Sequence, residues 1–164
     1  MPTGLPPVVD GRTRVLVLGS MPGEVSLQKQ QYYAHPRNAF WRIMSDLIGF
    51  EVQADYPDRL HGLLCAGIGL WDVLRNSERR GSLDSAIVAD TMAVNDFGAL
   101  FRERPGISRV FFNGAKAEEL FRRLVKPGVS AAIICNRLPS TSPANAAVPH
   151  SAKLAAWRAV LDVG

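Results

Sequence analysis

The sequence predicts an α/β fold: a three-layer α/β/α arrangement around a central, mostly parallel four-stranded sheet. Three observations lead there. Short, continuous apolar runs rich in β-branched residues alternate with segments whose apolar residues recur at helical spacing. The connections between them are short. Alternation of this kind implies a parallel sheet covered on both faces by helices. The chain has 164 residues, enough for one domain with a full core, and residues 1–164 are read as one domain. Residues 1–12, rich in proline and glycine, read as a loose lead-in.

The elements follow in order. RVLVLGS (14–20) is a buried strand ending in Gly-Ser. NAFWRIMSDLIGF (38–50) has Phe40, Ile43, Met44, Leu47 and Ile48 at helical spacing. YPDRLHGLLCAG (56–67) is a helix with a glycine stop, and IGLWDVL (68–74) a strand. NDFGALFRERPG (95–106) is a helix with Asn95 as N-cap and Pro-Gly as terminator. SRVFFNG (108–114) is a strand, AKAEELFRRLV (115–125) the helix after it, and SAAIICN (130–136) the last strand. HSAKLAAWRAVL (150–161) closes the chain as an amphipathic helix.

Composition excludes several classes. Apolar residues make up 47% and charged residues 21%, the balance of an ordinary soluble globular protein. No apolar run approaches the roughly 20 residues that span a bilayer, so no membrane partner is expected. Met1–Arg14 lacks the basic-then-apolar order of a secretion signal, and the cytoplasm is the expected location. Cys65 and Cys135, in LLCAG and AIICN, read as buried reduced thiols. Two cysteines are too few for an iron–sulfur cluster, and without a CxxC pair or clustered histidines zinc is not expected either. No cofactor or metal is therefore implied. The net charge of +4 and pI near 9.4 are compatible with a polyanionic partner. The arginine clusters RNSERRGS and ELFRRLVK read as solvated surface charge.

In open α/β sheets, ligands bind beyond the carboxyl ends of the strands. The segments that matter are thus GSMPG, WDVLRNSERRGS, FNGAKA and LPSTSPANA. GSMPGEVSLQKQ turns from a strand into a helical start, where backbone N–H groups can meet a phosphate or the carbonyl edge of a base. It is neither GxGxxG nor a P-loop, and the alternative is a plain tight turn. In QYYAHPRNAFW, the residue before proline is forced into extended geometry, so Tyr32 and Tyr33 cannot simply continue a helix. Exposed tyrosines there suit stacking against a flat ligand, although one of the two is expected to pack inward. Asn38 either caps the following helix or holds a water; Phe40 and Trp41 read as core. His35 is a phosphate contact, a general acid or a loop histidine bonded to backbone. Arg37 touches a phosphate or an acidic neighbour. LPSTSPANA, with two prolines, three hydroxyls and an asparagine, is stiff and polar. It suits close approach to a sugar–phosphate backbone, or is a surface loop. Asp72 faces the pocket and either meets the ligand or hydrogen-bonds a pocket backbone or Ser82; Asn113 is its counterpart on the next strand.

GSMPG, YYAHPRNAFW and LPSTSPANA in this order resemble the uracil-DNA glycosylase superfamily. With GLWDVLRNSERRGSLDSAI and VFFNGAKA between them, the set is most similar to the hypoxanthine-DNA glycosylase (DNA-deoxyinosine glycosylase) branch, over roughly residues 14–157. Where related branches carry a water-positioning asparagine in the first motif, this chain has Met21, which cannot serve a water. Glu24 is near but not at a matching position. The resemblance implies Asn38 as the catalytic, water-holding residue and Tyr33 as the stacking ring. Gly19, Ser20, Met21, Pro22 and Gly23, with Asp72 and Asn113, would bind the base. His35, Arg37, Ser140, Thr141, Ser142 and Pro143 would meet DNA. Ala144, Asn145 and Ala146 match the wedge that fills the gap left by a flipped nucleotide, and their small side chains imply weak plugging. The implied partner is DNA containing deaminated bases, handled by a monomer. No lysine lies where a Schiff base would form; Lys116 reads as surface or phosphate-facing. A monofunctional glycosylase for hypoxanthine, with uracil or xanthine also open, is the reading that follows. A mainly uracil-directed enzyme, a non-catalytic binder of damaged DNA and a nucleoside hydrolase are the rivals.

Overall fold

The computed structural model describes residues 4–76, 93–125 and 132–162. Its centre is a parallel four-stranded sheet built from β1 (Val15–Gly19), β2 (Ile68–Asp72), β5 (Arg109–Asn113) and β6 (Ile134–Leu138), in the spatial order β2-β1-β5-β6. Every residue of β1 and β2 is buried, as strands covered on both faces must be. The helices are α1 (Glu24–Lys29), α2 (Phe40–Ile48), α3 (Tyr56–Cys65), α4 (Phe97–Glu103), α5 (Ala115–Leu124) and α6 (His150–Trp157). On one face, Phe97 of α4 packs on Trp71 and on Phe121 of α5, with ring centroids 4.9 and 5.4 Å apart, and Phe121 packs on Phe112 at 5.2 Å. Elsewhere Phe40 and Trp41 of α2 meet edge-on, and Phe40 reaches Trp157 of α6 at 5.9 Å.

Several sequence expectations need correction. The strand expected over 68–74 stops at Asp72. Val73 and Leu74 then donate to the carbonyls of Gly19 and Ser20 (2.8 and 3.0 Å), and Leu74–Asn76 (β3) pairs antiparallel with Ala93–Val94 (β4). The last strand lies later than 130–136. Its register with β5 runs from Arg109↔Ile134 to Asn113↔Leu138, and Pro139, lacking an N–H, ends it. Asp96 rather than Asn95 caps α4, its carboxylate accepting from the Ala99 N–H at 3.0 Å; the Asn95 amide instead donates to the Asp72 carbonyl at 2.8 Å. The final helix gives way after Trp157 to a 3₁₀ turn, Arg158–Leu161. Cys65, expected in the core, is exposed. It ends α3 on the outward side, while Leu63 carries the buried contact, and its sulfur lies 3.3 Å from both an Arg12 amino group and His61 Nε2. Cys135 is half-buried rather than buried, and the two cysteines are not joined in a disulfide.

The described part of the lead-in is packed. Gly4 donates to the Arg75 carbonyl at 2.6 Å, Val8 bridges Leu70 on β2, and Leu5 is buried. Most of RNSERRGS, with Ser82, lies outside the described residues. In ELFRRLVK, Arg122 and Arg123 pair with Glu118 and Glu119 along α5. No helix among the described residues is long and apolar enough to cross a membrane.

Candidate active site at the carboxyl ends of the strands

The strand order dictates where a ligand can sit. The chain starts with β1 in the middle of the sheet, adds β2 on one side, then crosses to β5 on the other. The loops leaving β1 and β5 therefore diverge, and a crevice opens between them. A cleft of about 930 Å³ lies there. It gathers Gly19 to Gly23, Tyr33, His35, Asn38, Asp72, Asn113 and Ser140 to Asn145 into one lining. Arg37 and Ala146 stand outside that lining, on exposed positions.

The two adjacent tyrosines have divided roles. Tyr32 is 3% exposed, and its hydroxyl donates to the carbonyl of Pro6 at 2.8 Å. Burial holds its phenol well above the ordinary range. Tyr33 is half-buried and adopts φ +55°, a left-handed conformation that is uncommon for a bulky residue and costs about 1–3 kcal/mol. The strain is held by neighbours on both sides. Trp41 Nε1 donates to the Tyr32 carbonyl at 2.9 Å, and the Ala34 N–H donates to Ser26 Oγ at 3.1 Å. The result turns the Tyr33 ring flat against Phe40, at 4.2 Å and 27°, on the wall of the cleft.

His35 to Asn38 form a tight turn before α2. The Asn38 N–H donates to the His35 carbonyl at 2.9 Å, and the Arg37 N–H donates to His35 Nδ1 at 3.1 Å. With Nδ1 accepting, the ring proton belongs on Nε2. Asn38 Oδ1 accepts from the Phe40 N–H at 3.0 Å. This satisfies one of the unpaired donors that begin α2, although Ala39 rather than Asn38 holds the N-cap position. A carbonyl oxygen accepts two hydrogen bonds, so the Phe40 N–H fixes the side chain without exhausting it.

The LPSTSPANA loop is braced at nearly every residue. Trp157 Nε1 donates to the Pro139 carbonyl at 2.9 Å, and the Asn145 amide donates to the Ser140 carbonyl at 3.0 Å. Ser140 Oγ accepts from the Ser142 N–H, and Ser142 Oγ from the Ala144 N–H. Gly114, at φ +97°, lets β5 turn beneath this loop; a Cβ there would stand 3.1 Å from that of Ser140. Asn113 binds Thr141 at both ends of its amide, donating to Oγ1 and accepting from the N–H, each at 2.9 Å. Thr141 is 1% exposed, and its carbonyl accepts from the Ala39 N–H at 3.0 Å. Asn113 thus couples the loop to the turn that carries Asn38. A contact with a base would have to share this amide.

The floor of the cleft is formed by Gly19 and Asp72, directly paired at the ends of β1 and β2. Asp72 is 4% exposed. Its carboxylate leans so far over β1 that a Cβ on Gly19 would lie 2.6 Å from Oδ1, and 3.6 Å from the Tyr33 hydroxyl. Met21, 6% exposed, packs with the core at the inner wall.

A family profile described as Uracil DNA glycosylase superfamily matches residues 6–161. The chain belongs to the uracil DNA glycosylase superfamily. A protein of Methanosarcina barkeri named hypoxanthine DNA glycosylase is 44% identical over 71% of this chain and 73% of its own length. One of the same name from Methanosarcina acetivorans is 41% identical over 87% of both chains. A solution NMR structure from Methanosarcina acetivorans, described provisionally as a uracil DNA glycosylase, superposes with a TM-score of 0.80 at 36% identity, over 97% of this chain and 98% of that one.

Placed in the superfamily, the cleft also contains residues that sequence reasoning passed over. Ser26 supports the Tyr33 turn, and Arg137 lies at the lip of the cleft. Arg137 falls between the last strand expected, 130–136, and the LPSTSPANA segment, and was assigned to neither. Its position immediately before the LPSTSPANA loop was the available signal. Its Nε is 3.7 Å from Glu118, whose nearer partner is Arg122 at 3.2 Å. Glu24 begins α1 but is not among the described residues lining the cleft, and Lys116 pairs with Glu119 at 3.4 Å.

Proposed function

We propose that this chain is a monofunctional DNA glycosylase that releases hypoxanthine from deoxyinosine in DNA. The observation that carries the reading is the convergence, in one cleft, of a strained stacking tyrosine, a fixed asparagine amide and a braced hydroxyl-rich loop. The names of the Methanosarcina relatives supply the base.

The chemistry runs as follows. The target nucleotide leaves the duplex, because its glycosidic bond cannot be reached within the stack. Ser140, Ser142 and the backbone of their loop hold the flanking phosphates, with His35 Nε2–H as a further donor. The extruded base lies against the Tyr33 ring where it lines the cleft. Bond cleavage passes through an oxocarbenium-like sugar, which the DNA phosphates help to stabilise. Asn38 accepts a proton-bearing edge of the attacking water and orients its lone pair toward the sugar. An amide is a poor base, so its contribution is orientation and electrostatics. No lysine is among the described residues lining the cleft, which supports hydrolysis without a covalent imine. A monomer is the proposed working unit.

The test is base release from matched oligonucleotides carrying one deoxyinosine, deoxyuridine or deoxyxanthosine, with wild type and Asn38→Ala in parallel. Abasic sites from deoxyinosine are expected, with the rate falling about 10²–10³-fold in the variant. The solution structure's description favours a second reading, in which deoxyuridine is the better substrate, and the same assay ranks the two. Binding without release from any of the three would make the chain a damage binder.

A further inference from the structure

Tyr33 presents its ring from a left-handed backbone conformation that bulky residues seldom adopt, so its neighbours must hold it there. Much of the hold falls on the Tyr32 backbone. The Tyr32 carbonyl, in the peptide group that precedes Tyr33, accepts from Trp41 Nε1 at 2.9 Å. The Tyr32 N–H donates to the Tyr56 hydroxyl at 3.0 Å. Tyr56 and Trp41 meet edge-on, with ring centroids 5.9 Å apart. The Arg59 guanidinium lies over both rings, 4.7 Å from the centre of Trp41 and 5.6 Å from that of Tyr56. Arg59 Nε is itself anchored on the Ala54 carbonyl at 3.0 Å. Tyr56 and Arg59 stand three apart in the first turn of α3, so they share one helix face. A cation over two aromatic faces restrains the tilt of both rings, and those rings carry the donor and the acceptor that meet Tyr32. Neither Tyr56 nor Arg59 is among the described residues that line the cleft.

We propose that Tyr56 and Arg59 are positioning residues: with Trp41 they clamp the Tyr32 backbone and so set the turn that presents the Tyr33 ring to the base. This rests on the glycosylase reading above and adds how its stacking platform is kept in place. The left-handed conformation is strained, so the ring is presented only while the contacts around it outweigh that strain. A base that needs the ring binds in proportion to the fraction of molecules that present it. Loosening the clamp lowers that fraction without changing any group in the cleft. The hydroxyl-rich loop is braced separately, by Asn113, Asn145 and Trp157, so contacts with DNA that involve no base stay as they are.

The test is Tyr56→Phe, which keeps the ring against Trp41 and removes the acceptor for the Tyr32 N–H. Affinity is measured for two duplexes. One carries 2′-fluorinated deoxyinosine, whose glycosidic bond resists cleavage because fluorine disfavours the cationic sugar. The other has an abasic site, with no base to stack. Tyr56→Phe is expected to weaken binding of the first about tenfold and to leave the second within about twofold of wild type. In a Tyr33→Leu background, which lacks the ring, the same substitution should change neither. Unchanged affinity for the base-bearing duplex overturns the inference. An equal loss in both backgrounds, or on the abasic duplex, also overturns it, since a support for the fold at large would act with or without the ring. Should Tyr56→Phe fail to fold, Arg59→Gln decides by the same comparison. It removes the cation from the two rings, and a loss of about threefold that disappears in the Tyr33→Leu background supports the inference. No loss, or one that persists in that background, overturns it. Absence of base release from deoxyinosine by wild type is the separate outcome that removes the glycosylase reading.

Discussion

Asn113→Ala tests whether the DNA-facing loop and the Asn38 turn are one mechanical unit. The substitution deletes both hydrogen bonds to Thr141, each 2.9 Å. Thr141 is 1% exposed, so its N–H cannot recruit bulk water in exchange. A buried donor left unpaired costs about 1–3 kcal/mol, and the lost hydroxyl contact adds about 0.5–1.5 kcal/mol. A total near 2–3 kcal/mol corresponds to a fall in Tm of about 4–12 °C for a chain of this size. The loop should persist, because Trp157 and Asn145 hold it independently. Its position should not. The Thr141 carbonyl holds the Ala39 N–H next to Asn38, and a displacement of about 1 Å in a catalytic group can cost about 10²-fold in rate. Urea unfolding and single-turnover base release on the same samples give both quantities. Asn113→Asp is the control: its carboxylate still accepts the Thr141 N–H, and the hydroxyl can reverse to become the donor, so most stability should return. The reasoning fails if Asn113→Ala unfolds within about 0.5 kcal/mol of wild type and keeps its full rate.

Three further outcomes are expected. Gly19→Ala places a methyl group 2.6 Å from Asp72 Oδ1 and should lose about 1–3 kcal/mol in thermal or urea unfolding, with base release impaired while abasic-DNA binding survives. Tyr33→Leu should weaken binding of deoxyinosine DNA by the worth of one base stack, about 1–3 kcal/mol in a fluorescence titration, while Tyr33→Phe keeps the ring pair with Phe40 and stays near wild type. Arg137→Gln should lower DNA affinity across sequences and reduce the slope of log K against log salt by about 1, because its guanidinium is held only at 3.7 Å by a carboxylate that Arg122 already occupies.

The layer arrangement was legible because β1, β2 and β5 are short continuous apolar runs, and such runs in alternation with amphipathic helices leave few alternatives. The candidate cleft was legible for the same reason: once the strands are placed, the segments after them must share one end of the sheet. What failed to show was set by partners distant in sequence. The division between Tyr32 and Tyr33 depends on Pro6 and Phe40. The position of β6 depends on its register with β5, not on where apolar residues begin. Asn95 and Asp96 are both good caps by type, and the Asp72 carbonyl decides between them. The bracing of Thr141 by Asn113 links residues 28 apart in sequence and has no local signature. The lead-in looked loose by composition because the β2 edge it covers is invisible until the sheet is built.

The strand order also bears on how the protein is made. Among the described strands of the sheet, β1 leaves the ribosome before the other three, yet it belongs between β2 and β5, and β5 begins only at Arg109. Pairings this far apart along the chain are slow to form, because a long loop must close before any contact rewards it. Tyr33 and Asn38 are therefore synthesised early and wait for Asn113 and Thr141 to arrive. A growing chain carries Tyr33 and Asn38 before the loop of Ser140 to Asn145 exists, and the candidate cleft closes only once that loop has emerged and folded.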